Sequence, residues 1–284
     1  MKEIHVLNLG AGVQSTMVYL LATMKHPAIL EHMPRVDFAV FADTGEEPQR
    51  VYDHLEWLKS LDGPEILMRS TGSKLGDDLI NGVGKTRRFS ALPVFSGGGS
   101  GRGPRHCSRD YKINVIEKCI RQEIVGLKPR QRFPVDDVHI HQYLGLSMDE
   151  ASRVLNVRKA FMSTKWATPH FPLFDTNTDR TGAKKWLTPH VPHETPRSAC
   201  TFCPCHDNAE WRRILNDNPF NPEWCRAVEI DHALRDPNAA CSRGRTEDAF
   251  LHRSCVPLER VDLTEPEPPL ELAFRYDCMG MCGV

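Results

Sequence analysis

Short apolar runs, each ending in glycine or acid, set the rhythm of the first half of the chain. Ile4 to Leu9 is such a run; it stops at Gly10 and Gly12, and Thr16 to Met24 then has helical composition and spacing. Val36 to Ala42 repeats the pattern and ends in Asp43-Thr44-Gly45. Pro48 suits the first turn of the following helix, where Val51, Leu55, Leu58 and Leu61 fall on one face. Glu65 to Arg69 is a third strand. Val138 to Leu146 is a fourth, running through Gly145, Leu146 and Ser147 into a helix that carries Asp149, Glu150 and Arg153. Strands separated by helices pair in parallel, so the chain reads as an α/β protein with a doubly wound, mainly parallel sheet. Such sheets place their sites at the carboxyl ends of the strands.

After about residue 165 the pattern changes to more Pro, Trp and His, followed by a cysteine cluster at 200 to 205. Asp207 to Asp217 and Glu223 to Arg235 read as helices, the first with an Asp cap. Val261 to Leu272 is rich in Pro and Glu and reads as extended, leading to a tail with Cys278 and Cys282. The expected organisation is an α/β domain over 1–165 and a cysteine-rich, mostly helical extension over 166–284, packed on the first.

Composition narrows the function classes. Forty per cent hydrophobic and 26% charged residues suit a globular chain, and no run of eighteen apolar residues occurs, so no membrane partner is expected. The opening MKEIHVLNLGAG lacks a signal-peptide pattern, and the expected location is cytoplasmic. A net charge of −1 excludes a generally basic nucleic-acid coat but not a local basic groove. Such a groove is suggested between Lys85 and Lys112, where seven basic residues, Arg88, Arg105, Arg109 and Lys112 among them, face only Asp110, a local +6. With its SGGGSGRG stretch this segment reads as a lid over an anionic substrate, a solvated loop being the plainer reading. Ten cysteines in a reducing compartment point to metal or thiol chemistry.

A glycine turn after a strand and before a helix aims backbone N–H groups and the positive helix end at an anion. In LNLGAGVQST, Gly10, Ala11 and Gly12 form that turn, and Ser15 and Thr16 offer hydroxyls. The spacing fits neither the P-loop nor the dinucleotide fingerprint. Close packing of a glycine turn on the sheet is the structural alternative.

GAGVQST resembles the S-G-G-x-D-S loop of the PP-loop ATP pyrophosphatase superfamily, in its branch of phosphoadenylyl-sulfate (PAPS) reductases. FADTGEEPQRVYDHLEWL at 41 to 58, RHCSRDYKI at 105 to 113, GLSMDEASR at 145 to 153 and SACTFCP at 198 to 204 resemble further segments of that branch, in the same order. The resemblance implies an adenine nucleotide alpha-hydrolase-like fold that binds ATP or PAPS. By the same resemblance, Gly10, Ala11, Gly12, Gln14, Ser15, Thr16, Asp43, Thr44, Gly45, Gly145 and Leu146 would hold the nucleotide. Arg88, Arg105, Arg109, Lys112 and Arg153 would meet an anionic substrate. Gln14 replaces the loop's usual Asp and is a poor magnesium ligand, so Mg2+, if used, would fall to Asp43.

Cys200-x-x-Cys203 has metal-ligand spacing and is compatible with an iron–sulfur site, half of a zinc ribbon or a redox pair. The resemblance favours a 4Fe-4S cluster on Cys107, Cys200 and Cys203, with Cys282 chosen as fourth ligand and a three-cysteine cluster also open. Cys278 is the candidate reactive thiol of the tail. Cys119, Cys225, Cys241 and Cys255 read as small buried or partly buried residues. His139 and His141 share one strand face and, with no third ligand placed beside them, read as a satisfied interior or interface pair.

The expected function is adenylation of an acceptor, a nucleic acid or small molecule, followed by sulfur transfer to it. A sulfonucleotide reductase and a zinc-stabilised nucleotide-binding module are the alternatives. Candidate partners are a cysteine desulfurase or thioredoxin-type donor and a second copy of the chain.

Overall fold

Strand β1, Lys2–Leu9, sends Ile4 and Val6 to one core and Leu7 and Leu9 to another, so both of its faces are buried. That double burial is why it reads as a continuous apolar run rather than an alternating one. The computed structural model describes residues 1–82, 92–96 and 106–264. Arg88, Arg105, Cys278 and Cys282 lie outside them.

The other strands are β2, Phe38–Asp43; β3, Glu65–Ser70; β4, Phe95–Ser96; β5, Val138–Leu144; β6, Ala167–His170; and β7, Ala249–Phe250. Five form one sheet in the order β3-β2-β1-β5-β6, parallel throughout, while β4 and β7 make a short antiparallel ladder. The order reverses at β1, which makes the gap between β1 and β5 the topological switch point, where ligands of open α/β sheets bind. Helices Val13–Thr23 and Gln49–Lys59 cover one face, and helix Asn114–Cys119 lies against the other. The chain is therefore a mixed α/β protein with a mainly parallel sheet.

Strand β6 has no counterpart in the sequence expectation. Its residues, Ala-Thr-Pro-His, lack an apolar run, and Pro169 is tolerated because β6 is an edge strand. It joins the sheet beyond residue 165, and Ala183 and Leu187 of helix Arg180–Leu187 enter the core under helix Val13–Thr23. The latter helix begins at Val13 rather than Thr16, so Ser15 and Thr16 belong to its first turn.

A further core joins Leu75, Leu79 and Tyr111 to Trp211, Trp224 and Ile230 of the C-terminal helices Asn208–Leu215 and Pro222–Ala233. Asp207 caps the first of these by accepting the Glu210 N–H at 2.7 Å, and Asn221 caps the second, which has Pro222 in its first turn. These contacts hold the Cys200 to Cys205 segment over the carboxyl ends of the strands.

Candidate functional site

The turn after β1 is built by its own first helical residue. Ser15 Oγ accepts the Gly10 and Gly12 N–H groups, both at 3.2 Å, so two of the loop amides are engaged within the loop. Ala11 adopts φ 57°, a left-handed conformation that a glycine would take at lower cost. Gly145, just past β5, backs onto this turn, and a Cβ there would sit 2.7 Å from Ser15 N and 3.0 Å from Gln14 C. Gly145 therefore serves as a contact surface for the loop. Leu146 is core, with its N–H bonded to Leu144 O at 2.9 Å.

Gln14 crosses the switch point. Its Nε2 donates to Ser147 Oγ at 3.3 Å and to Glu150 Oε2 at 3.1 Å, and Glu150 is ion-paired with the buried Arg153. A carboxylate at position 14 would face Glu150, so the amide suits this neighbour. Thr16 Oγ1 lies 2.9 Å from His54 Nε2 and is fully buried, which directs its hydroxyl to the junction with helix Gln49–Lys59.

A recess above the turn is lined by Gly12, Val13, Gln14, Glu150, Arg153, Arg180, Arg197, Ser198, Ala199, Cys203 and Cys205. Arg180 and Arg197 are absent from the sequence expectation. Arg180 opens the helix capped by Asp179, and Arg197 precedes the cysteine segment, donating to Cys205 O at 2.8 Å. Only the basic residue beside Ser198-Ala199-Cys200 was a signal for it.

The turn after β2 links the elements around the second cleft. Asp43 Oδ1 accepts the Gly45 N–H at 2.7 Å and the Tyr52 hydroxyl at 2.9 Å, so that oxygen shapes the turn, and Gly45 has φ +73°. Glu46 pairs with Arg226 at 2.6 Å, and its carbonyl accepts the Thr201 N–H at 2.8 Å. Glu47 pairs with Lys112 at 3.2 Å. Thr44 Oγ1 lies 3.2 Å from Cys200 Sγ.

Thr44 and Lys112 line this cleft together with Cys107, Cys200 and Cys203, so the C-x-x-C pair shares one wall with a cysteine distant in sequence. Burial pushes the Cys200 thiol well above its ordinary value; the Cys205 thiol beside it, then burial, do the same to Cys203. Neutral thiols of this kind are inert nucleophiles, whereas a bound metal would draw off their protons outright. Arg109 is exposed and lines neither recess. Cys119 and Cys241 are buried and Cys255 is partly buried, but Cys225 is exposed, a correction to its reading as buried or partly buried, because it lies on the outward side of helix Pro222–Ala233.

The expectation that no third ligand type stands beside His139 and His141 is also corrected. His5, His170 and Glu3 join them, and among the described residues Glu3, His5 and His141 are the group whose donor atoms come within 4.8 Å of one another. The signal was present as Glu3-x-His5 and His139-x-His141 in two strands that prove to be neighbours.

No family model, curated protein or solved structure matches the chain.

Proposed function

We propose that the chain is an ATP-dependent enzyme of the PP-loop, adenine nucleotide alpha-hydrolase-like kind, which adenylates an acceptor and supports sulfur transfer to it. The observation that carries this reading is a shared wall: Ser198, Ala199 and Cys203 line both the recess over the glycine turn and the cysteine cleft. Nucleotide phosphates at Gly12 to Gln14 would lie across one short segment from the cysteines. Arg153, Arg180 and Arg197 bring three guanidinium groups to that recess, Arg153 paired with Glu150 and Arg197 with Asp207, and such groups suit phosphate oxygens.

In the proposed reaction an acceptor oxygen attacks the α-phosphorus of ATP and pyrophosphate leaves. Sulfur then displaces the adenylated oxygen, which departs with AMP. Cys107, Cys200 and Cys203 would hold an iron–sulfur cluster, closed if Cys282 of the tail is its fourth ligand; with three ligands its open iron would supply presentation of sulfur. The clustered, protonated thiols fit metal ligation better than free attack. Magnesium would accompany ATP, with Asp43 as the nearby carboxylate after β2. A nucleic acid or small molecule would be the acceptor, with a cysteine desulfurase delivering the sulfur as a persulfide and a thioredoxin-type dithiol supplying the two electrons that release it at the sulfide level.

Anaerobically purified protein, supplied with ATP or with PAPS, tests this reading. Pyrophosphate release from ATP supports it. Sulfite release from PAPS without pyrophosphate would assign the chain to sulfonucleotide reduction, and a protein with zinc on its cysteines and neither product would leave a nucleotide-binding module.

A further inference from the structure

Parallel register collects histidines on the amino-terminal half of the sheet, at the opposite ends of the strands from the glycine turn. Glu3 and His5 of β1 stand beside His139 and His141 of β5, and Thr168 of β6 stands beside His141. Because alternate residues share a face, neighbouring strands present these side chains together. The rings of His5 and His141 stack with centroids 4.6 Å apart.

We propose that Glu3, His5 and His141 bind a divalent first-row transition ion of the Zn2+ class. Their donor atoms all lie within 4.8 Å of one another. His141 Nε2 is buried and has no hydrogen-bond partner; the nearest carboxylate oxygen, Glu3 Oε1, is 3.8 Å away, beyond hydrogen-bond length. A satisfied histidine pair would not leave that nitrogen empty-handed, whereas two imidazoles and a carboxylate form a common ligand set for such ions.

One ring nitrogen of each histidine is already held. Tyr143 OH lies 2.7 Å from His5 Nδ1, and His170 Nε2 lies 2.9 Å from His141 Nδ1. Such outer partners fix ring orientation in metal sites. Metal bonds of about 2.0–2.2 Å would draw the three donors closer and tilt the stacked rings, a motion along the broad terminal torsion of histidine. Glu3, with its side chain 56% exposed, leaves a path for the ion from solvent. This site is independent of the cysteine cleft.

Co2+ titration of the tag-free full chain, followed by absorption, tests the proposal while separating the two regions. The expected result is one Co2+ with visible d–d bands and no thiolate charge-transfer band of its own, any Co2+ taken up by the cysteine cleft being set apart by that near-ultraviolet band. Glu3→Gln and His141→Gln should each weaken that binding by more than tenfold, and Tyr143→Phe by about tenfold. Circular dichroism checks folding, and Glu3→Gln decides should His141→Gln fail to fold, since Glu3 is surface-exposed. Co2+ bound only with thiolate bands, or with unchanged affinity in folded Glu3→Gln, would overturn the site.

Discussion

Thr44 Oγ1 and Cys200 Sγ lie 3.2 Å apart, joining the turn after β2 to a cysteine 156 positions further along the chain. Because Glu47 and Lys112 sit on the same turn and cleft, this contact links β2, the Cys107 helical segment and the cysteine cluster in one polar junction. Thr44→Val keeps the shape and removes the hydroxyl. The hydroxyl also accepts the Glu46 N–H at 3.3 Å and lies 3.5 Å from Glu47 Oε1, so the expected cost is about 1–3 kcal/mol in a urea melt. An unchanged melt would show that the junction does not depend on this hydroxyl.

Gly145→Ala tests the packing of the glycine turn. The new methyl would meet backbone atoms of Ser15 and Gln14, which cannot rotate away as a side chain can. Overpacking of this kind costs about 1–3 kcal/mol, and nucleotide affinity should fall with it. Denaturant melts and a fluorescent-ATP titration measure both; wild-type values in each would show that the turn moves freely.

Gln14→Glu places a second carboxylate beside Glu150. Like charges in a buried site raise the proton affinity of the pair, so the variant should be destabilised by a few kcal/mol at pH 8 and by less at pH 5, where a proton can be shared. Parallel urea melts at the two pH values check the difference. An equal loss at both would point to shape rather than charge.

Buried histidines set an acid limit on stability. Burial, then His193, holds His54 down to about 3, and burial, then Arg253, holds His252 down to about 4. Their folded values lie below the unfolded value near 6.5, so their contribution is complete above about pH 6.5 and is lost as the pH falls toward 4. Melts from pH 8 to pH 4.5 should show that decline, and His54→Gln should flatten it. An unchanged slope in the variant would remove His54 as a cause.

The legible parts of the fold are those written in local pattern. β1 and β2 are visible as apolar runs because parallel strands buried on both faces must be largely apolar. β3 and β5 show only shorter apolar stretches among exposed or polar positions, and Asp207 announces its helix because capping is a local bond. β6 is not visible, because Pro169 and His170 on an edge strand need no such run. In the site, Cys107, Cys200 and Cys203 could be grouped by spacing and resemblance, and the structure lines one cleft with all three. Arg180 and Arg197 could not be grouped, since an arginine's partner across a recess leaves no periodic trace. The histidines of β1 and β5 became a set only when strand order made neighbours of them.

Iron and acid-labile sulfide per chain, measured on anaerobically purified protein beside its Cys107→Ala and Cys200→Ala variants, tests the cysteine cleft most directly. A cluster site predicts about four of each in the parent chain, with broad visible absorption that both variants lose. Absence of iron with zinc held by these cysteines, or a cluster retained when either cysteine is removed, would contradict it.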